Sequence, residues 1–281
     1  MLPLHGGGSG AGFGGGGGGG GGGRAAQVSQ FLHRLADVGQ MDWQAAYYQM
    51  VTIVTKPADA FKTAYYRKRT KNQWARDDPA FLVVQAAFLA AATLAYAVAL
   101  GVPPGLFTYV ELLFETVALG WLGAGAALAS IGWWFSNKHL RAPPHEQSVE
   151  QEVEWAYCFD IHCNAFFALF LVLYPLQFGL LPLLLAGESS SSGGAAGAGA
   201  GGGSFFALIL ANTLWAFGAA AYFYITFLGY MSLPFLDPNG CVYFMYPIGL
   251  IVLLYLSSIG LYPIGYGFNM ARVAIGYFVG A

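Results

Sequence analysis

The chain has 281 residues, of which 57% are hydrophobic, 16% aromatic and only 9% charged. A soluble domain usually carries about 25% charged residues, so this composition excludes an ordinary soluble protein. The net charge of -2 conceals an asymmetry, because nine of the twelve lysines and arginines precede Phe81. Long uncharged apolar runs follow that residue, and they predict an all-α polytopic membrane protein.

Two low-complexity tracts stand apart from the predicted folded part. Residues 1–23 are dominated by glycine, and residues 187–203 by serine, glycine and alanine. Such tracts cannot bury enough apolar surface to offset their chain entropy. We therefore expect residues 1–23 to be disordered and residues 187–203 to form a flexible lumenal loop.

Residues 24–78 are predicted to form an amphipathic cytosolic arm ahead of the first span. The stretch 40–54 is apolar but too short to cross the ~30 Å of hydrocarbon in a bilayer, so it fits a helix in the membrane interface. Lys56-Pro57 breaks this helix, because proline removes a backbone donor and clashes with the preceding turn. A second arm helix is predicted from Ala58 to about Asn72.

The second arm helix and its C-terminal flank interleave basic and aromatic side chains. Close to an anionic membrane surface each cation contributes about 1 kcal/mol, so this composition favours lipid contact. A nucleic-acid surface and a flank that only sets topology are the alternatives. Trp74 suits the aromatic belt of a membrane interface. The candidate residues for membrane-surface or partner binding are Lys62, Arg67, Lys68, Arg69, Lys71, Trp74 and Arg76.

Five apolar runs are long enough to span a membrane. They cover about residues 81–100, 106–135, 159–186, 205–227 and 241–261, in a membrane domain at 79–265 that is followed by a short lumenal tail at 266–281. Asp78 is predicted to cap the first span, with Pro79 at its first helical position. Lys138 and Arg141 lie in a loop on the same side as the basic arm. The positive-inside rule therefore predicts a cytosolic N-terminus and a lumenal C-terminus.

Two acidic residues lie near the start of the second apolar run. Glu111 and Glu115 are one helical turn apart and share a face. We favour a position at the lumenal interface, because a charge at the bilayer centre costs at least ~2.5–3.5 kcal/mol. A path for protons or cations is the alternative.

The stretch 152–167 concentrates polar groups where a charged segment becomes a membrane span. Helical spacing places Asp160 and Asn164 on one face and Cys158 and His162 on another, so Asp160 is not expected to orient His162. Cys158 and His162 could share a metal, but a zinc site needs three or four protein ligands, so neither a metal nor another cofactor is predicted. We interpret Asp160, His162 and Asn164 as helix-packing residues at the membrane boundary, with Asn212 and Thr213 of the fourth span as candidate hydrogen-bonding partners.

An ordered set of segments extends through most of the chain. These are Tyr65–Lys68, Gln73–Phe81, Ser136–Lys138, Glu154–Tyr157, Phe159–His162, Asn164–Phe166, Asn212–Trp215, Thr226–Tyr230 and Leu233–Leu236. Together they resemble the uncoordinated-50 family of Golgi membrane proteins, over roughly residues 30–260. The polyglycine N-terminus and the loop at 187–203 depart from the family pattern.

The resemblance implies a five-span Golgi protein with a cytosolic N-terminus that acts in early secretory traffic. It also implies binding of large Arf guanine-nucleotide exchange factors and support for the assembly or delivery of cell-surface receptors. RNA binding by the N-terminal region is a further implication, and no catalytic residues are carried over.

Three hypotheses follow for the function. The leading one is a non-enzymatic Golgi protein that recruits trafficking machinery through its arm. The second is a small transporter or proton-coupled carrier that uses the four residues Glu111, Glu115, Asp160 and His162. The third is an intramembrane enzyme that uses Cys158, Asp160 and His162.

Overall fold

The structure is a computed structural model that describes residues 41–142, 151–184, 205–265 and 267–280, together with Asp37 and Gly39. Within these ranges it contains helices and no strand. Five of the helices are long and apolar enough to cross a membrane, which confirms the predicted all-α, five-span fold. The tracts predicted to be disordered or flexible, 1–23 and 187–203, lie outside the described residues.

Three short helices form the arm: α1 (Trp43–Thr55), α2 (Pro57–Ala60) and α3 (Lys62–Lys71). Asp42 caps α1, because its carboxylate accepts a hydrogen bond from the backbone of Ala45 at 2.8 Å. Pro57 begins α2, where a missing N–H costs no helical hydrogen bond. Asn72 ends α3 in the left-handed conformation, with a φ of 54°. The predicted break at Lys56-Pro57 is therefore present. The second predicted arm helix, from Ala58 to about Asn72, is instead divided into α2 and α3 by a turn at Phe61.

The remaining helices are α4 (Ala80–Ala99), α5 (Leu106–His139), α6 (Trp155–Gly179), α7 (Leu181–Leu184), α8 (Phe205–Met231), α9 (Pro238–Ile264) and α10 (Met270–Gly280). Two spans contain π-helical turns, Phe114–Gly123 in α5 and Val172–Leu176 in α6. The second includes Pro175, whose ring prevents a regular α-helical hydrogen bond.

The helix ends differ from the predicted spans in several places, and the fourth and fifth helices, Phe205–Met231 and Pro238–Ile264, extend beyond the predicted bounds. The third span begins earlier, at Trp155, and ends at Gly179 rather than near residue 186, because the chain turns at Leu180 before the short α7. The second continues to His139, beyond the predicted end at residue 135. The predicted C-terminal tail contains the helix α10, which packs against α8 and α4.

The third span, α6, lies at the centre of the bundle. Its apolar window is 61% buried, whereas that of α9 is only 6% buried. The packing partners of α6 include α8, α5, α4 and the arm helix α1. Because α9 packs mainly along α8, most of its apolar surface faces outward, as expected for a helix covered by lipid.

The arm and the bundle share one hydrophobic core. Met50 and Ile53 of α1 and Phe61, which precedes α3, belong to the same buried cluster as Phe81 of α4 and Tyr157 of α6. Each of these five side chains is at most 6% exposed. The arm is therefore part of the folded body at the end of the bundle where α4 and α6 begin, which we call the arm-side end.

Gly229 allows α8 to approach α6 closely. A Cβ at this position would lie 2.7 Å from Cγ1 of Ile161 and 2.9 Å from its Cδ1, closer than real Cβ contacts. We predict that Gly229→Ala lowers the free energy of unfolding by about 1–3 kcal/mol, the usual cost of overpacking a core. Denaturation of the purified protein in mild detergent measures this change.

Gly249→Ala provides the matched control, because a Cβ on Gly249 would meet nothing within 4 Å. We expect no loss of stability there. We also expect Ile161→Ala and Gly229→Ala to cost less together than the sum of their separate costs, since the first removes the atoms that the second would strike. Equal stability of the two glycine variants would contradict the close approach.

Candidate functional site at the arm-side end

An irregular segment between α3 and α4 is held by two carboxylates of the third span. Glu154, immediately before α6, accepts hydrogen bonds from the backbone N–H groups of Trp74 at 3.0 Å and Ala75 at 3.3 Å. Asp160 accepts from the backbone N–H of Arg76 at 2.5 Å and from its guanidinium Nε at 3.3 Å. We call this arrangement, Trp74–Arg76 with Glu154 and Asp160, the arm clasp.

The guanidinium of Arg67 satisfies a backbone carbonyl of the same segment. Arg67 donates from Nε and Nη2 to the carbonyl oxygen of Trp74, at 3.3 and 3.0 Å. Burial lowers the pKa of Arg67 from its usual value, and the nearby Asp160 carboxylate acts in the opposite direction. The guanidinium nevertheless stays charged, because arginine does not deprotonate in proteins. The clasp therefore satisfies three backbone donors and one backbone acceptor of a segment that has no regular secondary structure.

The indole of Trp74 fills the space beneath this backbone. It is only 2% exposed, and its ring centroid lies 5.9 Å from that of Phe235, 6.2 Å from that of Tyr157 and 6.4 Å from that of Tyr65. The prediction that Trp74 belongs to an interfacial aromatic belt is therefore wrong. The ring is enclosed because the clasp draws its backbone onto α6.

The predicted basic surface divides into inward and outward residues. Arg67 and Arg76 point inward, and their assignment to a membrane or partner surface is corrected accordingly. The Arg76 side chain is 15% exposed, and its guanidinium lies 4.1 Å from the ring centroid of Phe81. Lys68 is intermediate, with its Nζ 3.7 Å from Glu154 and 5.8 Å from the Trp74 ring centroid.

The other three predicted cations lie on the outward side of the arm. Lys62 pairs with Asp59 at 2.7 Å, and Lys71 pairs with Asp77. Arg69 stacks on Tyr65, with its guanidinium carbon 4.8 Å from the ring centroid. Lys62, Arg69 and Lys71 are all exposed.

Connections around the clasp align the ends of the other spans. The side-chain amide of Asn137 exchanges two hydrogen bonds with the backbone of Val153, at 2.9 and 3.0 Å. Backbone bonds also join Leu140 to Asp237 and Ala142 to Phe235, so the segment after α5 pairs with the α8–α9 connection. The phenol of Tyr157 contacts Ser232 at 2.7 Å and donates to the Gly229 carbonyl at 3.0 Å. Most of the segments that carried the resemblance therefore meet here.

His162 has a different environment from Asp160, as helical spacing predicted. Its Nδ1 lies 2.8 Å from the hydroxyl of Tyr222, and its ring is tilted against those of Phe159 and Phe166, with centroids 5.9 and 5.8 Å away. His162 also lines a cavity of about 240 Å³ between α5, α6, α8 and α9, together with Cys158. Among the described residues no group of three His, Cys, Asp or Glu side chains could hold a metal ion.

The remaining polar candidates are buried in two separate places. Asn164 is 4% exposed on α6. Asn212 does not meet the polar residues of α6, contrary to the prediction. Its amide instead donates to Ser258 at 2.7 Å and to the Phe268 carbonyl at 2.8 Å, and its oxygen accepts from the backbone of Met270 at 2.9 Å. Asn212 thus fastens the chain before α10 to α8 and α9, at the end of the bundle opposite the arm.

The four residues of the carrier hypothesis are not brought together. Glu111 is exposed and Glu115 lies in the π-helical part of α5, near the end where that helix begins. Asp160 lies near the opposite end, because α6 begins where α5 finishes. At 1.5 Å rise per residue, the two sites are separated by on the order of 25 Å along the bundle.

Sequence reasoning missed Glu154, Asn137 and Phe235 as parts of this site. Local spacing shows Glu154 as one acid of a polar loop, since its partners lie 79 and 80 residues earlier. The resemblance did offer a signal, because Glu154, Asn137 and Phe235 all belong to its ordered segments. None of the three lies at a helical spacing that reveals its partner.

We predict that Asp160→Asn loosens the arm, because it leaves the mostly buried Arg76 guanidinium without its counter-charge. Removing one partner of a buried pair costs 3–5 kcal/mol, and this pair is slightly exposed, so about 2–4 kcal/mol of unfolding free energy should be lost. Limited trypsin digestion should also cleave faster after Arg76. Asp59→Asn removes the exposed Lys62 partner and should leave both measurements unchanged. Equal cleavage in the two variants would show that Asp160 does not hold the arm.

Comparison with known proteins identifies the family. A model of the UNC-50 family matches residues 31–278. The relatives include the unc-50 homolog of Dictyostelium discoideum, 40% identical over 232 residues that make up 83% of this chain and 82% of that protein. Protein unc-50 of Caenorhabditis elegans is 37% identical over 254 residues (90% and 74%), and the Homo sapiens homolog is 35% identical over 232 (83% and 81%). No solved structure matches the chain significantly. The chain therefore belongs to the UNC-50 family of multi-pass membrane proteins.

Proposed function

We propose that the protein is a non-enzymatic scaffold of the early secretory pathway in the Golgi membrane. Its arm would lie in the cytosol and its C-terminus in the lumen, as the distribution of cations favours. It would support vesicle traffic and the assembly or delivery of cell-surface receptors by binding Arf guanine-nucleotide exchange factors. These roles rest on the family resemblance, and the arm supplies the surface.

The observation that carries the proposal is the outward side of α3. Lys62, Tyr66 and Arg69 are spaced four and three residues apart, so they form one stripe. All three side chains are exposed, and Tyr66 is 68% exposed. Tyrosine and arginine are enriched where proteins bind one another, because both combine a broad apolar surface with hydrogen-bonding groups. The stripe therefore suits an acidic protein surface.

The clasp makes this stripe a fixed feature. Arg67 and Ala64 lie on the inward side of the same helix and are held against the bundle, so the outward residues cannot turn away. A preformed surface binds with a smaller loss of conformational entropy than a flexible basic tail. This supports a docking platform over a flank that only sets topology.

The competing hypotheses have less support from the geometry. Asp160 contacts Arg76 and His162 contacts Tyr222, so the residues proposed for an enzyme have separate partners. Cys158 is only 2% exposed. The carboxylates proposed for a carrier lie at opposite ends of the bundle. RNA binding through the same stripe is an outcome that the experiment below distinguishes.

We predict that the double variant Lys62→Glu and Arg69→Glu weakens capture of exchange factors by roughly tenfold, which corresponds to ~1.4 kcal/mol. Charge reversal places like charges opposite an acidic partner. The measurement is binding of purified exchange factor to vesicles that contain the full chain. Deleting residues 24–78 is a poorer test, because it also removes Phe61 and Trp74 from the core.

The matched control is Lys62→Arg with Arg69→Lys, which keeps both charges and should retain capture. An unchanged melting temperature in both double variants separates lost binding from lost folding. Unchanged binding of the exchange factor after charge reversal would contradict the proposal. Loss of capture after ribonuclease treatment of the wild-type sample would indicate RNA as the ligand instead.

A further inference from the structure

An unpartnered apolar strip follows one flank of α1. Trp43, Tyr47, Val51 and Val54 are spaced four, four and three residues apart, so they form a continuous row along the helix. Their exposed fractions are 41%, 72%, 41% and 56%. None of the described segments covers this row, which we call the α1 strip.

The position of α1 fixes the depth of the strip relative to the membrane spans. The backbone N–H of Asp42 donates to the Asp78 carboxylate at 2.9 Å, and the same carboxylate accepts from the backbone of Ala80 at 2.8 Å. Ala80 is the first residue of α4, the first membrane span. The start of α1 is therefore level with the end of a span, where hydrocarbon gives way to headgroups.

The strip borders the face of α1 that packs on the bundle. Ala46, Met50 and Ile53 form that face and are at most 6% exposed. At 3.6 residues per turn, neighbouring residues are 100° apart, so Tyr47 lies to one side of Ala46 and Tyr48 lies on the far side of the helix. The apolar surface of α1 thus continues from the bundle onto the strip, whereas the far side of the helix carries the exposed Gln44, Tyr48 and Thr55.

The composition of the strip matches a lipid interface. Tryptophan and tyrosine prefer the headgroup level of membranes, because their rings are apolar and their N–H or O–H groups reach water. The two valines, further along the row, supply hydrocarbon contact. The arm also exposes Lys56 close to the end of α1, which favours anionic headgroups.

We propose that the α1 strip is a membrane-interface anchor, seated at the boundary of headgroups and acyl chains in the leaflet on the arm side. The clasp and the Asp78 contacts hold α1 across the ends of α4 and α6, and the strip adds a lipid contact along its outer edge. This anchor turns the polar far side of α1 toward water. The anchor does not depend on any protein partner, so it stands or falls separately from the proposed function.

The experiment places single labels on α1 in the full chain. Tyr47→Cys, Val51→Cys and Val54→Cys report the strip, and Tyr48→Cys is the matched control, since it is adjacent in sequence and 65% exposed. The native cysteines Cys158, Cys163 and Cys241 are at most 2% exposed, so a nitroxide reagent should spare them. The labelled proteins are reconstituted into vesicles of phosphatidylcholine and phosphatidylserine, without any partner.

The readout compares collisions of the nitroxide with oxygen, which partitions into lipid, and with a nickel chelate, which stays in water. We expect the ratio of oxygen to nickel accessibility to be severalfold higher for the three strip labels than for the Tyr48→Cys label. Unchanged melting temperatures identify the variants that fold, and any one folded strip variant is sufficient for the comparison.

Equal ratios at the strip and control positions would overturn the proposal. Nickel-accessible strip labels that become protected only when cytosolic protein is added would also overturn it, in favour of a protein partner. A strip signal that persists when phosphatidylserine is omitted supports anchoring by the aromatic and aliphatic side chains, whereas a signal that needs this lipid supports anchoring assisted by the arm cations.

Discussion

The arm-side end depends on one constraint: the backbone between α3 and α4 has no regular structure, yet it is covered by side chains. Its N–H and C=O groups would cost free energy if they were buried without partners. Two carboxylates of the third span and the Arg67 guanidinium supply these partners. Because both carboxylates lie at the start of α6, the most buried of the five spans, the position of the central span fixes the position of the arm.

The clasp explains why part of the arm is basic, because some of its cations make buried contacts. A cluster of cations before a membrane span ordinarily indicates lipid attraction or topology. In this chain Arg67 donates to a backbone carbonyl and Arg76 pairs with Asp160, so both are turned toward the bundle, whereas Lys62, Arg69 and Lys71 face outward. The inward Arg67 and the outward Lys62 and Arg69 therefore lie on opposite faces of one ten-residue helix.

The fold could be predicted from the sequence to a large extent, because each span is recognisable by the length and apolarity of its segment. The arm helices could be predicted too, since Lys56-Pro57 breaks the pattern locally. The separation of Asp160 from His162 followed from helical spacing. The clasp could not be predicted, because Glu154 meets Trp74 across 80 residues and no periodicity links them. The burial of Trp74 was missed for the same reason, as a tryptophan before a span has the same local sequence whether it faces lipid or is enclosed.

The remaining polar residues of the spans show how differently such groups can act. Asn212 provides three hydrogen bonds that fasten the chain before α10, far from the arm. Tyr157 binds the end of α8 through its phenol, and His162 meets Tyr222 one turn deeper. Interhelical hydrogen bonds of this kind contribute about 0.6–2 kcal/mol each, so their value lies in fixing which helices meet.

The 80-residue separation between Trp74 and Glu154 has a consequence for synthesis of the chain. At about 5–20 residues per second, the ribosome adds the clasp carboxylates on the order of 4–16 s after the arm has been made. During that interval the arm lacks the groups that satisfy its backbone, and two further spans must enter the membrane before the clasp can close. The clasp therefore cannot close until the start of the third span has been synthesised, and the backbone N–H groups of Trp74–Arg76 lack these carboxylates until then.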